Sequence, residues 1–178
     1  MQLYFVAIQI PSPINAEIKE FQQEMADLYN SSRQLKIPVH ITLIPPFRYG
    51  SEEKVLDAFD KATSPISSKR NIVLKGFDQF REKVLFVAVE ADEELKHVRS
   101  EIMKTVSDEL SLEWPTYTNN FHPHITIANR DLNHNAFKKA WPTFKDRPYF
   151  RTFNKIEIVL YKHINGFWEV LSSKIISE

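Results

Sequence analysis

The chain has no cysteine. Thiol catalysis, disulfide cross-links and thiolate metal sites are therefore excluded. Neither charge is in excess: Lys plus Arg and Asp plus Glu number 23 each in 178 residues. Without a global field the protein is not drawn onto a polyanion or a membrane, which argues against long, sequence-independent RNA binding. A small anionic substrate stays open, because it needs only a local cationic pocket. Long apolar runs are missing as well. Residues 3–10 form a short one that lacks a basic leader and contains Gln9. It reads as a strand rather than a signal peptide or membrane span, and a cytoplasmic protein is expected. What is present, 43% hydrophobic residues and 12% aromatics, suits a packed domain or two small lobes sharing a core.

Hydrophobic periodicity orders the chain. Residues 3–10 are apolar on both faces, as in a central strand. Ser12 and Pro13 provide an N-cap and a first-turn proline. Ile14, Ile18, Phe21, Met25 and Leu28 then recur at helical spacing. A strand beginning at His40 is expected to end at Pro45-Pro46, which cannot continue a hydrogen-bonded ladder. A second helix starts near Ser51, with Glu52 and Glu53 favourably placed against its dipole. Strands over 72–77 and 84–90 follow.

The pattern then restarts. Leu95, Val98, Ile102, Val106 and Leu110 mark a helix, and a Pro-, Thr- and Asn-containing loop leads to a strand at His124. Asn133 can cap a short helix carrying Ala136, Phe137, Ala140 and Trp141. Strands over 156–161 and 167–175 flank an Asn165-Gly166 turn. A shift of 81–84 residues lays 3–10 on 84–91 and 72–75 on 156–159. An internal duplication is expected: one α+β unit over 1–178, with lobe one at about 1–83 and lobe two at about 84–178. The lobes would be antiparallel-rich sheets flanked by helices, related by a pseudo-twofold axis around a central cleft.

Within each half stands one copy of a phrase: His40-Ile41-Thr42-Leu43 and His124-Ile125-Thr126-Ile127. On a strand, side chains alternate, so each His shares a face with its Thr while aliphatics take the other face. Six histidines in this composition would produce two such phrases with aliphatic flanks in fewer than about 1% of shuffled chains. The competing reading is two buried strands whose His and Thr satisfy each other or the backbone.

This pair of motifs, inside matching strand-helix contexts over nearly all the chain, resembles the 2H phosphoesterase superfamily. It is most similar to the bacterial branch of RNA 2′,3′-cyclic phosphodiesterases, or 2′-5′ RNA ligase-like proteins. The resemblance implies hydrolysis of cyclic phosphates on RNA ends or small nucleotides, with His40 and His124 exchanging acid and base roles. Relatives in that branch often carry an arginine five residues beyond the second motif histidine. Here Asn129 holds that position and Arg130 follows. They also tend to follow the first motif with an aromatic-containing turn ending in Gly, where this chain has Ile44-Pro45-Pro46-Phe47.

The residue chemistry fits that expectation. Opening a cyclic phosphodiester needs a base on one side of phosphorus and an acid on the other, and imidazole can serve as either near neutrality. Thr42 and Thr126 could donate to non-bridging phosphate oxygens. No cofactor or metal is required. The expected partner is a small cyclic nucleotide or an RNA 3′ end, with no membrane and a monomeric chain. Other candidates have plainer readings. Arg48 and Arg130 follow the motifs closely enough to reach the cleft, or are surface charges. Phe47, Tyr117 and Phe121 could stack on a base, or pack in the core. His122 forms His-x-His with His124, a spacing that can bind metal, but Pro123 intervenes and no carboxylate cluster follows. A non-catalytic nucleotide- or RNA-binding module on the same fold is the alternative function.

Overall fold

The computed structural model describes residues 1–67 and 71–176. Strands β1 (Gln2–Gln9) and β2 (His40–Tyr49) are joined through helix α1 (Ile14–Tyr29). Helix α2 (Glu52–Thr63) and strand β3 (Ile72–Phe80) complete the first half. The second half runs β4 (Val84–Val89), α3 (Glu93–Leu110), β5 (His124–Ala128), α4 (His134–Phe144), β6 (Phe150–Phe153), β7 (Ile156–Ile164) and β8 (Phe167–Ile176). Among the described residues no helix is long and apolar enough to cross a membrane.

The protein is α+β, and two four-stranded antiparallel sheets carry it. Their strand orders are β2-β1-β7-β8 and β5-β4-β3-β6. The lobe boundary expected at about residue 83 does not separate the two sheets. That boundary falls in the turn of the β3–β4 hairpin, inside one sheet, where Phe80 pairs with Val84. The duplicated halves exchange their third strand: β3 of the first pairs with β4 of the second, while β7 of the second pairs with β1 of the first. Strands β1 and β4 are apolar on both faces. Each is a central strand and needs a partner beyond the motif strand that its own half supplies.

The helices cross over too. Helix α1 packs on β5 and α4, whereas α3 packs on β2 and α2. The Gln22 amide of α1 donates to the Thr126 carbonyl of β5 at 3.1 Å, and Arg99 of α3 donates to the Leu43 carbonyl of β2 at 3.2 Å. Each motif strand is thus held by a helix of the other half. The aliphatic faces of the motifs, Val39, Ile41 and Leu43 with Ile125 and Ile127, are at most 1% exposed and join one common core.

Two local expectations need correction. Strand β2 does not stop at the prolines but continues to Tyr49. The ladder pairs Val6 with Ile44 and Tyr4 with Phe47, so Pro45 and Pro46 sit in a bulge of an edge strand, where a missing N–H costs no ladder bond. Ser12 does not cap α1; the Pro13 carbonyl accepts from Ala16 and Glu17 and the helix begins at Ile14. Asn133 caps α4 as expected, accepting from Ala136, and Ser51 caps α2, accepting from Lys54. Strand β6 and two short 3₁₀ turns, Arg33–Lys36 and Thr116–Asn119, are additions that no periodicity marks.

Candidate active site

The edge strands β2 and β5 face each other where the two sheets meet. A cleft of about 460 Å³ opens between them, lined by His40, Thr42, His124 and Thr126 together. All four side chains are half-buried. Both polar motif faces therefore turn into one space while both aliphatic faces enter the core.

The two imidazoles are oriented in the same way. His40 Nδ1 donates to the Pro38 carbonyl at 2.6 Å, and His124 Nδ1 donates to the His122 carbonyl at 2.7 Å. A carbonyl can only accept, so Nδ1 carries the proton in each ring and Nε2 is the acceptor nitrogen. Thr42 Oγ1 lies 3.1 Å from His40 Nε2 and donates to it. An aromatic floor lies beneath each ring. Phe5 lies 4.9 Å from His40 and Phe86 lies 5.0 Å from His124, both at an interplanar angle of 54°. Phe5 and Phe86 are 81 positions apart. The pseudo-twofold relation thus extends from the strands to individual ring contacts.

Electrostatics follow from this enclosure. Burial takes the His40 imidazole down to about 4, with the Pro38 hydrogen bond opposing and the charge of His124 adding to the drop. Burial also pulls His124 below its ordinary value, opposed by the His122 carbonyl and assisted by the His122 ring. Both shifts favour the neutral imidazole, protonated on Nδ1 alone.

Of the remaining sequence candidates, only Arg130 lines the cleft, beside Asn129. Phe47 is buried against Tyr4 and Trp114 and is a core residue. Its place follows from the bulge, which restores its inward phase after the prolines. Arg48 points away and donates to the Met1 carbonyl at 3.4 Å. Tyr117 is exposed on the 3₁₀ turn, and Phe121 lies beneath the Arg99 guanidinium, 4.6 Å from ring centroid to carbon. His122 packs edge-on against Phe80 and Phe86 and contributes its carbonyl rather than its ring. No group of three or more His, Cys, Asp or Glu residues that could hold a metal occurs among the described residues.

Sequence reasoning missed several lining residues: Leu3, Phe5, Gln34, Ile37, His163 and Trp168. Phe5 could have been found, since the repeat alignment sets it on Phe86. His163 and Trp168 could not, because they arrive from β7 and β8 through the exchange of strands. Trp168 meets Phe5 edge-on at 4.5 Å and His163 at 4.9 Å, which forms an aromatic wall on the His40 side.

A hydrogen-bonded clasp sets the distance across the cleft. The Asp131 carboxylate accepts from the Ser31 hydroxyl at 2.8 Å and from the Ser32 and Arg33 N–H groups at 2.9 Å. It therefore ties the loop that carries Asn129 and Arg130 to the turn that carries Gln34. Burial works to raise the Asp131 carboxyl, but these hydrogen bonds outweigh it and hold the group below the usual carboxylate range.

Comparison with known proteins bears on the fold and the family. No curated protein matches the chain significantly. Among solved structures, a phosphoesterase is 20% identical, with 99% of each chain covered and a TM-score of 0.67. TT0787 of Thermus thermophilus is also 20% identical, covering 99% of this chain and 98% of its own at a TM-score of 0.67. E. coli LigT in complex with ATP is 19% identical, with 99% of each chain covered and a TM-score of 0.62. LigT has also been crystallised with 3′-AMP, NADP+ and phosphate. These likenesses establish the fold. The model of the 2′-5′ RNA ligase superfamily matches residues 10–166, and so the chain belongs to that superfamily of two-histidine phosphoesterases.

Proposed function

We propose that the protein hydrolyses 2′,3′-cyclic phosphates without a metal, with His40 and His124 as the proton-transfer pair. One imidazole Nε2 takes a proton from water as the water oxygen bonds to phosphorus. The phosphorus–oxygen bond to one ribose oxygen breaks, and the other imidazole gives that oxygen a proton. The product is a phosphomonoester beside a free hydroxyl. On substrate binding the Thr42 hydroxyl turns from His40 Nε2 to a non-bridging oxygen, Thr126 donates to the other, and the two steady the charge that builds there. Arg130 supplies a local positive field at the rim.

The observation that supports this reading most is the matched pair of Nδ1 hydrogen bonds, which leave Nε2 as the reactive atom in both rings. LigT, similar in fold, is seen with 3′-AMP and with phosphate. A phosphate between the rings supplies what neutral imidazoles lack, because its negative charge raises both pKa values and lets one ring hold the acid proton. The alternative, a nucleotide-binding module without turnover, draws on those same low pKa values.

The test is turnover of 2′,3′-cyclic nucleotides in the presence of chelator. The unaltered protein is expected to release a monoester. His40→Ala and His124→Ala should each lower kcat by about 10²–10⁴-fold. Binding without product would favour the non-catalytic module. Activity unaffected by either substitution would remove both histidines from the reaction.

A further inference from the structure

The cleft continues past Arg130. A second cavity of about 360 Å³ adjoins it, and Asn129 and Arg130 form part of the wall of both. The rest of this cavity is lined by Arg81, Glu82 and Lys83 from the β3–β4 turn, with Leu132, Asn133 and His134 at the start of α4. Arg81, Lys83 and Arg130 are exposed, and none of the three is ion-paired among the described residues. The single acid in the lining, Glu82, is engaged by His134 at 3.0 Å. Three unpaired cations therefore face one small space in a chain whose overall charge is zero.

Across the cleft the chemistry is opposite. There the walls are Leu3, Phe5, Pro46 and Trp168 with the His163 ring packed on the tryptophan, and the turn corresponding to Arg81–Lys83 in the repeat is the uncharged Asn165-Gly166. The pseudo-twofold relation that holds so closely at the histidines is broken on either side of them. One flank accepts flat apolar surface, and the other accepts negative charge.

A nucleic-acid end has that same polarity. Beside its terminal phosphate lies a nucleobase on one hand and the next backbone phosphate on the other. We infer that the cavity formed by Arg81, Lys83 and Arg130 binds the adjoining backbone phosphate of an RNA strand whose cyclic end occupies the main cleft. The preferred substrate is then a polynucleotide end, and a free cyclic nucleotide is a truncated one. The inference rests on the phosphodiesterase reading for the identity of the first phosphate. The contacts are to phosphate, so RNA sequence should matter little.

The experiment compares the unaltered protein with the Arg81→Gln/Lys83→Gln double variant on two ligand types. The first is a 2′,3′-cyclic mononucleotide without a 5′ phosphate. The second is a short single-stranded RNA, with a cyclic end for turnover and with a 3′-phosphate end for binding by fluorescence anisotropy. The variant should raise KM and Kd for RNA several-fold and leave mononucleotide kinetics unchanged. The salt dependence of RNA binding should weaken by about 0.7 in log–log slope for one lost phosphate contact. Arg81→Lys/Lys83→Arg, which keeps both charges, should keep the RNA affinity. RNA binding unchanged in the glutamine variant would overturn the inference, as would equal weakening of both ligand types or loss of affinity in the charge-preserving variant. If the unaltered protein opens no cyclic phosphate, the catalytic reading fails, while the anisotropy measurement still decides the phosphate subsite.

Discussion

Each motif histidine is set by one hydrogen bond to the carbonyl two residues earlier in the chain, and that bond assigns a role to each ring atom. Because Nδ1 is committed to Pro38 or His122, Nε2 is the nitrogen left to take up a proton in each ring. Two consequences are measurable at this scale. Binding of inorganic phosphate near pH 6.5 should draw protons from solution, since the anion raises imidazole pKa values that burial holds low. Calorimetry in buffers of different ionisation enthalpy measures that uptake; binding with no proton linkage would contradict it. The second concerns stability. His40 titrates near 6.5 when unfolded and at about 4 when folded, so between these values the unfolded chain binds more protons. This contribution is fully present above pH 6.5 and is lost as pH falls toward 4. Urea unfolding of His40→Gln should show a flatter pH dependence across that window than the unaltered protein does. Equal slopes would show that His40 is not buried as described. The motif residues were legible in the sequence because strand alternation alone sets imidazole and hydroxyl on one face. The partners Pro38 and His122 were not, because a carbonyl carries no side-chain signal.

At the scale of elements, the site depends on how loops are fastened. The Asp131 clasp joins the loop after β5 to the 3₁₀ turn before β2 through three hydrogen bonds from Ser31, Ser32 and Arg33. Asp131→Ala removes three hydrogen bonds, two of them from exposed N–H groups that water can then satisfy, and should cost about 0.5–1.5 kcal/mol in chemical unfolding. It should also raise KM more than it lowers kcat, because Asn129 and Arg130 move while the histidines stay on their strands. Unchanged stability and KM would mean that the clasp positions nothing. Helices were readable from the sequence since their 3.6-residue stripes are long and their caps conventional, as at Ser51 and Asn133. The passage of β2 through Pro45-Pro46 was not readable. A proline pair ends a strand unless it falls on an unpaired edge, and edge position is a property of the sheet rather than of the segment.

At the scale of the whole molecule, duplication is visible in the sequence but the exchange of β3 and β7 is not, because equivalent strands have equivalent patterns and either pairing satisfies them. The exchange makes each half incomplete. Residues 1–83 lack β7, which covers β1 from Tyr4 to Gln9, and residues 84–178 lack β3, which covers β4. Neither fragment alone should give a cooperative thermal transition by circular dichroism, whereas mixing them should restore one. Independent folding of either half would contradict the intertwined sheets. The same exchange carries His163 and Trp168 to the cleft beside His40, so the candidate site and the fold share one origin. The most direct measurement is a crystal structure with phosphate or a cyclic-phosphate analogue. The account predicts one phosphorus between the motifs, with His40 Nε2 and His124 Nε2 each about 3 Å from an oxygen and both threonine hydroxyls on the non-bridging oxygens. An anion held by one motif alone, or bound outside the cleft, would contradict it.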